Sequence, residues 1–571
     1  MVKLEKIGQV WRTLKHLRPV QMRGQVTQRA RRRVEMPARL VKIAGKPLPP
    51  PVSALAGDFS VVPPVRPRGE KEQLTRGAFT FLNQQHELGW PPDWNNQEVP
   101  KLWQYHLHYH DWLWSLPFSK ASEAALDWYR RHPLERGAVG WEAYPTSLRL
   151  MNWTALFWGY WRSRTLADRA SATVLWAALR LQVEWLMRHL ETHLMGNHLL
   201  ENGAALAFVG ATFDGPLAER WKRRGMDILR QEIPEQILAD GMHFELSPMY
   251  HQRLVQVLLW LHATGDDDLV ELTVEPLHKT FKALHHTTHP DGGVALLNDS
   301  ALRVYPSLST LLRQAERQGV YIQSERDSGL FAQPLAGYYG ARTEAGDYVI
   351  CDAARVGPDY IPGHAHGDML SFELSLGGKR MLVDSGVHDY ERGEMRDYCR
   401  STRAHNTVEI DGHDQCEFWA AFRVGHRGRP RDVRYEASPE DGGFVLEAWH
   451  DGYLRLDGAP RHWRKFEWRA GALLIEDSIE SDRSVQAVSR LHLHPDCELH
   501  TMRDNIVSIE RDGVICHIHF SGPGSLEIES AWYCPRFGQK RESQLLAWTV
   551  RADSARWRTS IEWERKSSGT E

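Results

Sequence analysis

The chain has 571 residues, 42% of them hydrophobic and 25% charged, with a formal net charge of −3. That is more than one hydrophobic core supports, so two or more folded domains are expected and wholesale disorder is excluded. No apolar run reaches the ~18 residues of a helical membrane span, and in MVKLEKIGQVWRTLKHLRPVQMRGQV charge interrupts every apolar run before a signal-peptide core can form, so a cytoplasmic protein is expected, with export by an unrecognised route left open.

Charge is unevenly placed. Residues 1–46 hold 5 Lys and 8 Arg against Glu5 and Glu35, an excess of +11, which leaves −14 for the remainder. A basic arm on an acidic body suits an anionic glycan, an acidic protein or peripheral contact with an anionic membrane. Nucleic acid would satisfy the charge alone but is not the expected partner. Residues 48–69, LPPPVSALAGDFSVVPPVRPRG, are Pro-rich without a helical period and read as an extended strap, so 1–69 form an arm and strap.

Residues 70–335 carry helical periodicity, with helices predicted over 102–116, 146–162, 167–193, 198–209, 216–233 and 248–263. Short polar breaks between them predict antiparallel pairs in an α/α array, solenoid or toroid. This stretch is rich in Trp, among them Trp90, Trp94, Trp103, Trp112, Trp141, Trp153 and Trp158. Most are expected in the core, though aromatic faces also stack on sugar rings. Residues 336–571 alternate in short runs broken by Gly, Asp and Asn, which predicts an antiparallel β-sandwich. The fold class is therefore α+β and multidomain, with ligand expected in the cleft between the halves. All six cysteines lie beyond residue 350 without CxxC spacing and are expected reduced and mostly buried.

Three stretches carry candidate chemistry. In MGNHLLENGAALAF, Asn197, His198 and Glu201 group on one side of a helix. In DGMHFELSPMYH, Ser247 and Pro248 make an N-cap and first-turn pair that sets Tyr250 at a helix N-terminus, where the partial positive charge is expected to favour tyrosinate. Residues 361–407 hold His364, His366, Asp368, Asp384 and His405 around a predicted hairpin, residues 369–376 and 379–383 turned by Gly377 and Gly378. Its first strand alternates and is expected to be half-buried. His366, Asp384 and His405 suit a two-histidine, one-carboxylate metal site such as zinc, although a metal-free network in which Asp384 orients a histidine uses the same residues. His492 and His494, like His517 and His519, alternate along strands and are expected to be sheet-face residues.

GNHLLENGAALAF, DGMHFELSPMYH, PGHAHGDMLSFEL, DSG and RSTRAHNTVEIDGHDQ, in that order, resemble the heparinase II/III-like polysaccharide lyases. WEAYPTSLRLMNW and PDGGVALLNDSA look like segments of the family's helical domain. The resemblance implies an incomplete (α/α) toroid followed by a β-sandwich, with an acidic polysaccharide or oligosaccharide bound between them and cleaved by β-elimination. It implies that Asn197 and His198 neutralise a uronate carboxylate, that Tyr250 is general acid and often base, and that His364 is the catalytic histidine. His366, Asp384 and His405 match ligands of a structural Zn2+ in some members, and Glu201 an acid that contacts substrate. Arg149, Arg253, Arg396, Arg400 and Arg403 are candidates for the local positive charge a polyanion needs, and Trp153 for a sugar platform. Secreted relatives carry signal peptides, so this chain resembles more closely the members linked to making or trimming exopolysaccharide. The rival readings are a glycoside hydrolase using Glu201 and Glu245, and a non-catalytic glycan-binding component anchored through its arm. Oligomeric state is left open.

Overall fold

The computed structural model describes residues 2–31 and 70–565, apart from 136, 323–327, 439 and 504. The strap and the end of the basic arm lie outside the described residues. Helices dominate as far as Leu308–Arg317, and strands follow from Gly329–Gln333 onward. Each predicted helical stretch is present with shifted ends. Residues 146–162 divide into the α-helix Ala143–Trp153 and a π-helical stretch, Thr154–Tyr160. Phe118–Arg131, Asp267–His286 and Leu308–Arg317 add further helices, and Ala78–Phe81 pairs with Gln84–Glu87 in a small hairpin. No helix of the described residues is long and apolar enough to cross a membrane.

The strands form a five-stranded antiparallel sheet from Gly329–Gln333 to Lys379–Leu382 and a ten-stranded sheet built on the long strands Ala472–His492 and Gln539–Arg565. The two sheets share one apolar core, in which Phe372 of the first meets Phe466 of the second with ring centroids 5.7 Å apart. All six cysteines are free and all but Cys497 are buried.

The expected hairpin forms, Phe372–Leu376 pairing with Lys379–Leu382. Its first strand is buried on both faces instead of one. Leu374 and Leu376 face the shared core, while Glu373 and Ser375 face the helical half. There Glu373 accepts hydrogen bonds from His289 (3.1 Å), Leu296 N–H (2.8 Å) and Asp384 N–H (3.0 Å) and lies 3.6 Å from Arg380. Burial raises the carboxyl pKa, but His289 and Arg380 outweigh it and hold it below the ordinary value. The polar face of the strand is thus a seam between halves. Glu373→Ala removes the buried acceptor of His289 and of the Leu296 and Asp384 N–H groups and leaves Arg380 paired with Asp291 alone, and a loss of about 3–5 kcal/mol is expected in urea unfolding.

Candidate active site

A cleft of about 1980 Å³ lies between the helical half and the sheets. Two helices turn their first residues toward it. Gly196–Thr212 begins where Met195 and Gly196 both take left-handed backbone, φ 64° and 56°. A Cβ at Gly196 would strike the Glu245 carboxylate, so only glycine lets the Asn197 N–H donate to Glu245 Oε1 at 3.0 Å. This sets Asn197 and His198 on the cleft wall. His198 Nδ1 lies 3.0 Å from Glu191 Oε1. Burial opposes charge on the imidazole, but the charge and hydrogen bond of Glu191 prevail and raise its pKa above the ordinary histidine value.

The second helix, Pro248–His262, is capped as its sequence suggests, Ser247 Oγ accepting the Tyr250 N–H at 3.3 Å. The expected tyrosinate is overturned. Burial first, then the Tyr390 and Tyr305 phenols, push the Tyr250 pKa well above 10, and a fractional helix charge cannot offset the loss of hydration. Tyr250 is therefore a protonated donor at rest, its hydroxyl 3.0 Å from that of Tyr390.

The His364 ring lies against Tyr250, centroids 4.1 Å apart. Its Nδ1 is 2.9 Å from Asp299 Oδ2 and its Nε2 3.3 Å from Glu245 Oε2. Asp299 also receives His366 Nε2 at 2.9 Å and a two-pronged Arg396. Desolvation alone would raise the Asp299 pKa, yet Arg396 and the two histidines pull it well below the usual carboxylate range. The Asp299 carbonyl in turn accepts the Ser247 hydroxyl at 2.7 Å. Sequence reasoning passed over Asp299, Glu191, Arg396 as an internal partner, and Tyr390. The usable signal for Asp299 was Asn-Asp-Ser closing the apolar run VALL, a polar cluster that needs a partner once buried.

Of the expected metal trio, His366 and His405 group with Asp368. His366, Asp368 and His405 each offer a ligand atom within 4.8 Å of the others, and all three are buried. Asp384 instead faces His405 from the other side, accepting Nδ1–H at 2.6 Å. That bond occupies Nδ1, so Nε2 is the ring nitrogen a metal would take. His405 Nε2 and His366 Nδ1 are both buried without a hydrogen-bond partner, the arrangement a divalent metal would satisfy. Asp384 is outside that group of three and holds His405 through its other ring nitrogen.

Other candidates lie elsewhere. Arg149 is fully buried, bonded to Gln182 (2.7 Å) and His108 O (3.0 Å) and stacked on Trp128, away from the cleft. Trp153 is likewise core, its indole N–H donating to His110. Arg403 is exposed outside the cleft lining. Arg253 lines the cleft, but both its nitrogen prongs hold Glu201, at 2.6 and 2.9 Å, so the buried Glu201 carboxylate is spent on an internal pair. Arg396 serves Asp299, and Arg400 donates to the carbonyls of Ala365 and Ala420. Cleft aromatics are mainly tyrosines, including Tyr105, Tyr144, Tyr305 and Tyr390, while the early tryptophans pack inward. His492 and His494 are buried, and His517 and His519 lie exposed along their strand.

The heparinase II/III N-terminal family model matches residues 79–320, and the heparinase II/III-like C-terminal model matches 325–564. The chain belongs to the heparinase II/III-like family. Among curated members, it is 27% identical over 286 residues to a heparin-sulfate lyase of Pedobacter heparinus, covering 44% of this chain and 42% of that one. It is 23% identical over 401 residues to a heparin-sulfate lyase of Bacteroides stercoris, covering 60% and 59%. These matches span less than two thirds of either enzyme. Among solved structures, a heparinase III superposes with TM-score 0.70 at 18% identity over 98% of this chain and 94% of that one. A heparan sulfate lyase from Pedobacter heparinus gives 0.58 at 19%, over 94% and 88%. Those structures share the fold of this family member.

The geometry at His198 is measurable without substrate. Its imidazole, followed by NMR, is expected to titrate above the ordinary ~6.5 and to titrate lower in Glu191→Gln than in the wild type, since burial then acts with less opposition.

Proposed function

We propose that this protein is a polysaccharide lyase that cleaves a uronic-acid-containing acidic glycan by β-elimination. The observation that carries this reading is the meeting of Tyr250 with His364 across the cleft, beside Asn197 and His198. Proton abstraction at C5 of a uronate builds enolate charge on an existing anion, so the carboxylate must first be neutralised. Asn197 and the His198 cation held by Glu191 serve that step. His364, oriented through Nδ1 by ionised Asp299, takes the C5 proton at Nε2 once the sugar has displaced that nitrogen from Glu245, 3.3 Å away. Tyr250, kept protonated by burial, gives its proton to the leaving oxygen at C4, and Tyr390 orients its hydroxyl. Arg303, Arg392 and Arg536 line the cleft and supply positive charge to a polyanion. The helical half is read as an incomplete (α/α) toroid and the paired sheets as a sandwich, and exopolysaccharide trimming is the biological setting that best suits a basic arm. The hydrolase reading loses support because Glu201 is tied to Arg253 and Glu245 caps the Asn197 helix.

His366, Asp368 and His405 would hold a zinc ion, with Asp384 behind His405. An ion bound there would cross-link the segments that carry these residues, a structural role. Elemental analysis is expected to find about one zinc per chain, and chelation to lower Tm. Asp368→Asn is expected to weaken retention more than Asp384→Asn, for which a ~10–100-fold loss is typical of an outer partner.

Incubation with heparan sulfate, alginate and unsulfated polyglucuronate tests the reaction. An unsaturated uronate absorbance is expected from at least one of them, with products one water lighter than hydrolysis gives. Tyr250→Phe and His364→Ala are each expected to lower kcat by ~10²–10⁴. Reducing ends without unsaturation would establish hydrolysis instead.

A further inference from the structure

The first two helices, Val2–Leu14 and Pro19–Arg31, cross the seam between the halves. On the sheet side, Arg12 Nε donates to Glu417 at 2.8 Å, and Thr13 Oγ1 accepts the Trp419 indole N–H at 3.1 Å while lying 3.3 Å from Val424 O. On the helical side, Arg18 pairs with Glu235 at 2.5 Å, and Gln21 Nε2 lies 3.4 Å from Leu194 O. Gly24 sits so close to His193 that a Cβ there would come within 2.8 Å of its backbone nitrogen. Gln21 also donates to Tyr360 O at 3.2 Å, and the Arg18 guanidinium stacks on Tyr360 at 3.8 Å. The arm is therefore bonded to both walls.

A groove between two domains is open at both ends unless something crosses it, and this arm does. Gln21, Gln25 and Gln28, at i, i+4 and i+7, share one helix face, and all three line the cleft. Val20, Met22 and Val26 of the same helix are exposed. The three amides thus form a polar stripe that faces inward. Amide side chains both donate and accept, which suits sugar hydroxyls. Leu194 stands three residues before Asn197 in the chain, and three residues reach at most about 11 Å. The arm's contact at Leu194 therefore lies within about 11 Å of Asn197 along the chain, a span of about two sugar units.

We infer that residues 2–31 close one end of the cleft and make the enzyme act on chain ends, with Gln25 and Gln28 contacting the terminal sugar. This rests on the lyase reading above. The test follows unsaturated product against polymer size, by gel filtration, for the full-length enzyme on whichever of the three polymers it degrades. Expected is a short product from the outset, with the average polymer size nearly constant through the early reaction. In Gly24→Leu combined with Arg18→Ala, which wedges the helix off His193 and removes its anchor, intermediate fragments should appear early. The polymer should then shrink several-fold faster per double bond formed. Random scission by the wild type would overturn the inference while leaving the lyase reading intact. An unchanged product pattern in the variant, with trypsin showing the arm released, would also overturn it. If the variant does not fold, the wild-type size profile decides alone. Absence of unsaturated product from all three polymers would overturn the lyase reading and this inference with it.

Discussion

The ionised carboxylate of Asp299 is the interaction on which the site depends. It belongs to a loop of the helical half, and its partners His364, His366 and Arg396 belong to the sheet half. A buried charge of this kind is tolerable only when every lone pair is engaged, so it holds the three side chains to one geometry and draws the two halves together. Its own backbone is fixed through Ser247, the cap of the helix that carries Tyr250. One residue thereby sets the position of His364 relative to Tyr250 from both sides.

Around that anchor, environment assigns different protonation to groups of similar chemistry. Burial keeps the Tyr250 phenol protonated, whereas the Glu191 carboxylate lifts the His198 pKa against burial. A donor for the leaving oxygen and a cation for the carboxylate are two of the groups that the proposed elimination uses, beside its base. The other conspicuous charges of the helical half, Arg149 and the Arg253–Glu201 pair, go to internal structure. Buried ions that are satisfied internally give rigidity and leave little for a ligand.

Local pattern made much of this legible. Helical periodicity before residue 320 and alternation after 336 located the helices and strands, because both periods follow from backbone geometry. Ser247-Pro248 announced a helix start, and Gly377-Gly378 a hairpin, since both depend on neighbours in sequence. Motif order carried the family, and with it Asn197, His198, Tyr250 and His364, all of which line the cleft.

What sequence could not settle was set by contacts between residues far apart in the chain. The second face of the Phe372–Leu376 strand is buried because the helical half packs on it. Asp368, which no expectation assigned to the metal site, groups with His366 and His405 because the fold brings these three together. Arg149, Trp153 and Arg403 carry suitable chemistry at unsuitable places, and the basic arm, legible only as charge, is bonded to both walls of the cleft. The sequence by itself determined the kinds of element and the chemical types available. Tertiary structure decided which of those groups meet, because burial, partner and pKa are properties of a position in space and not of a position in the chain.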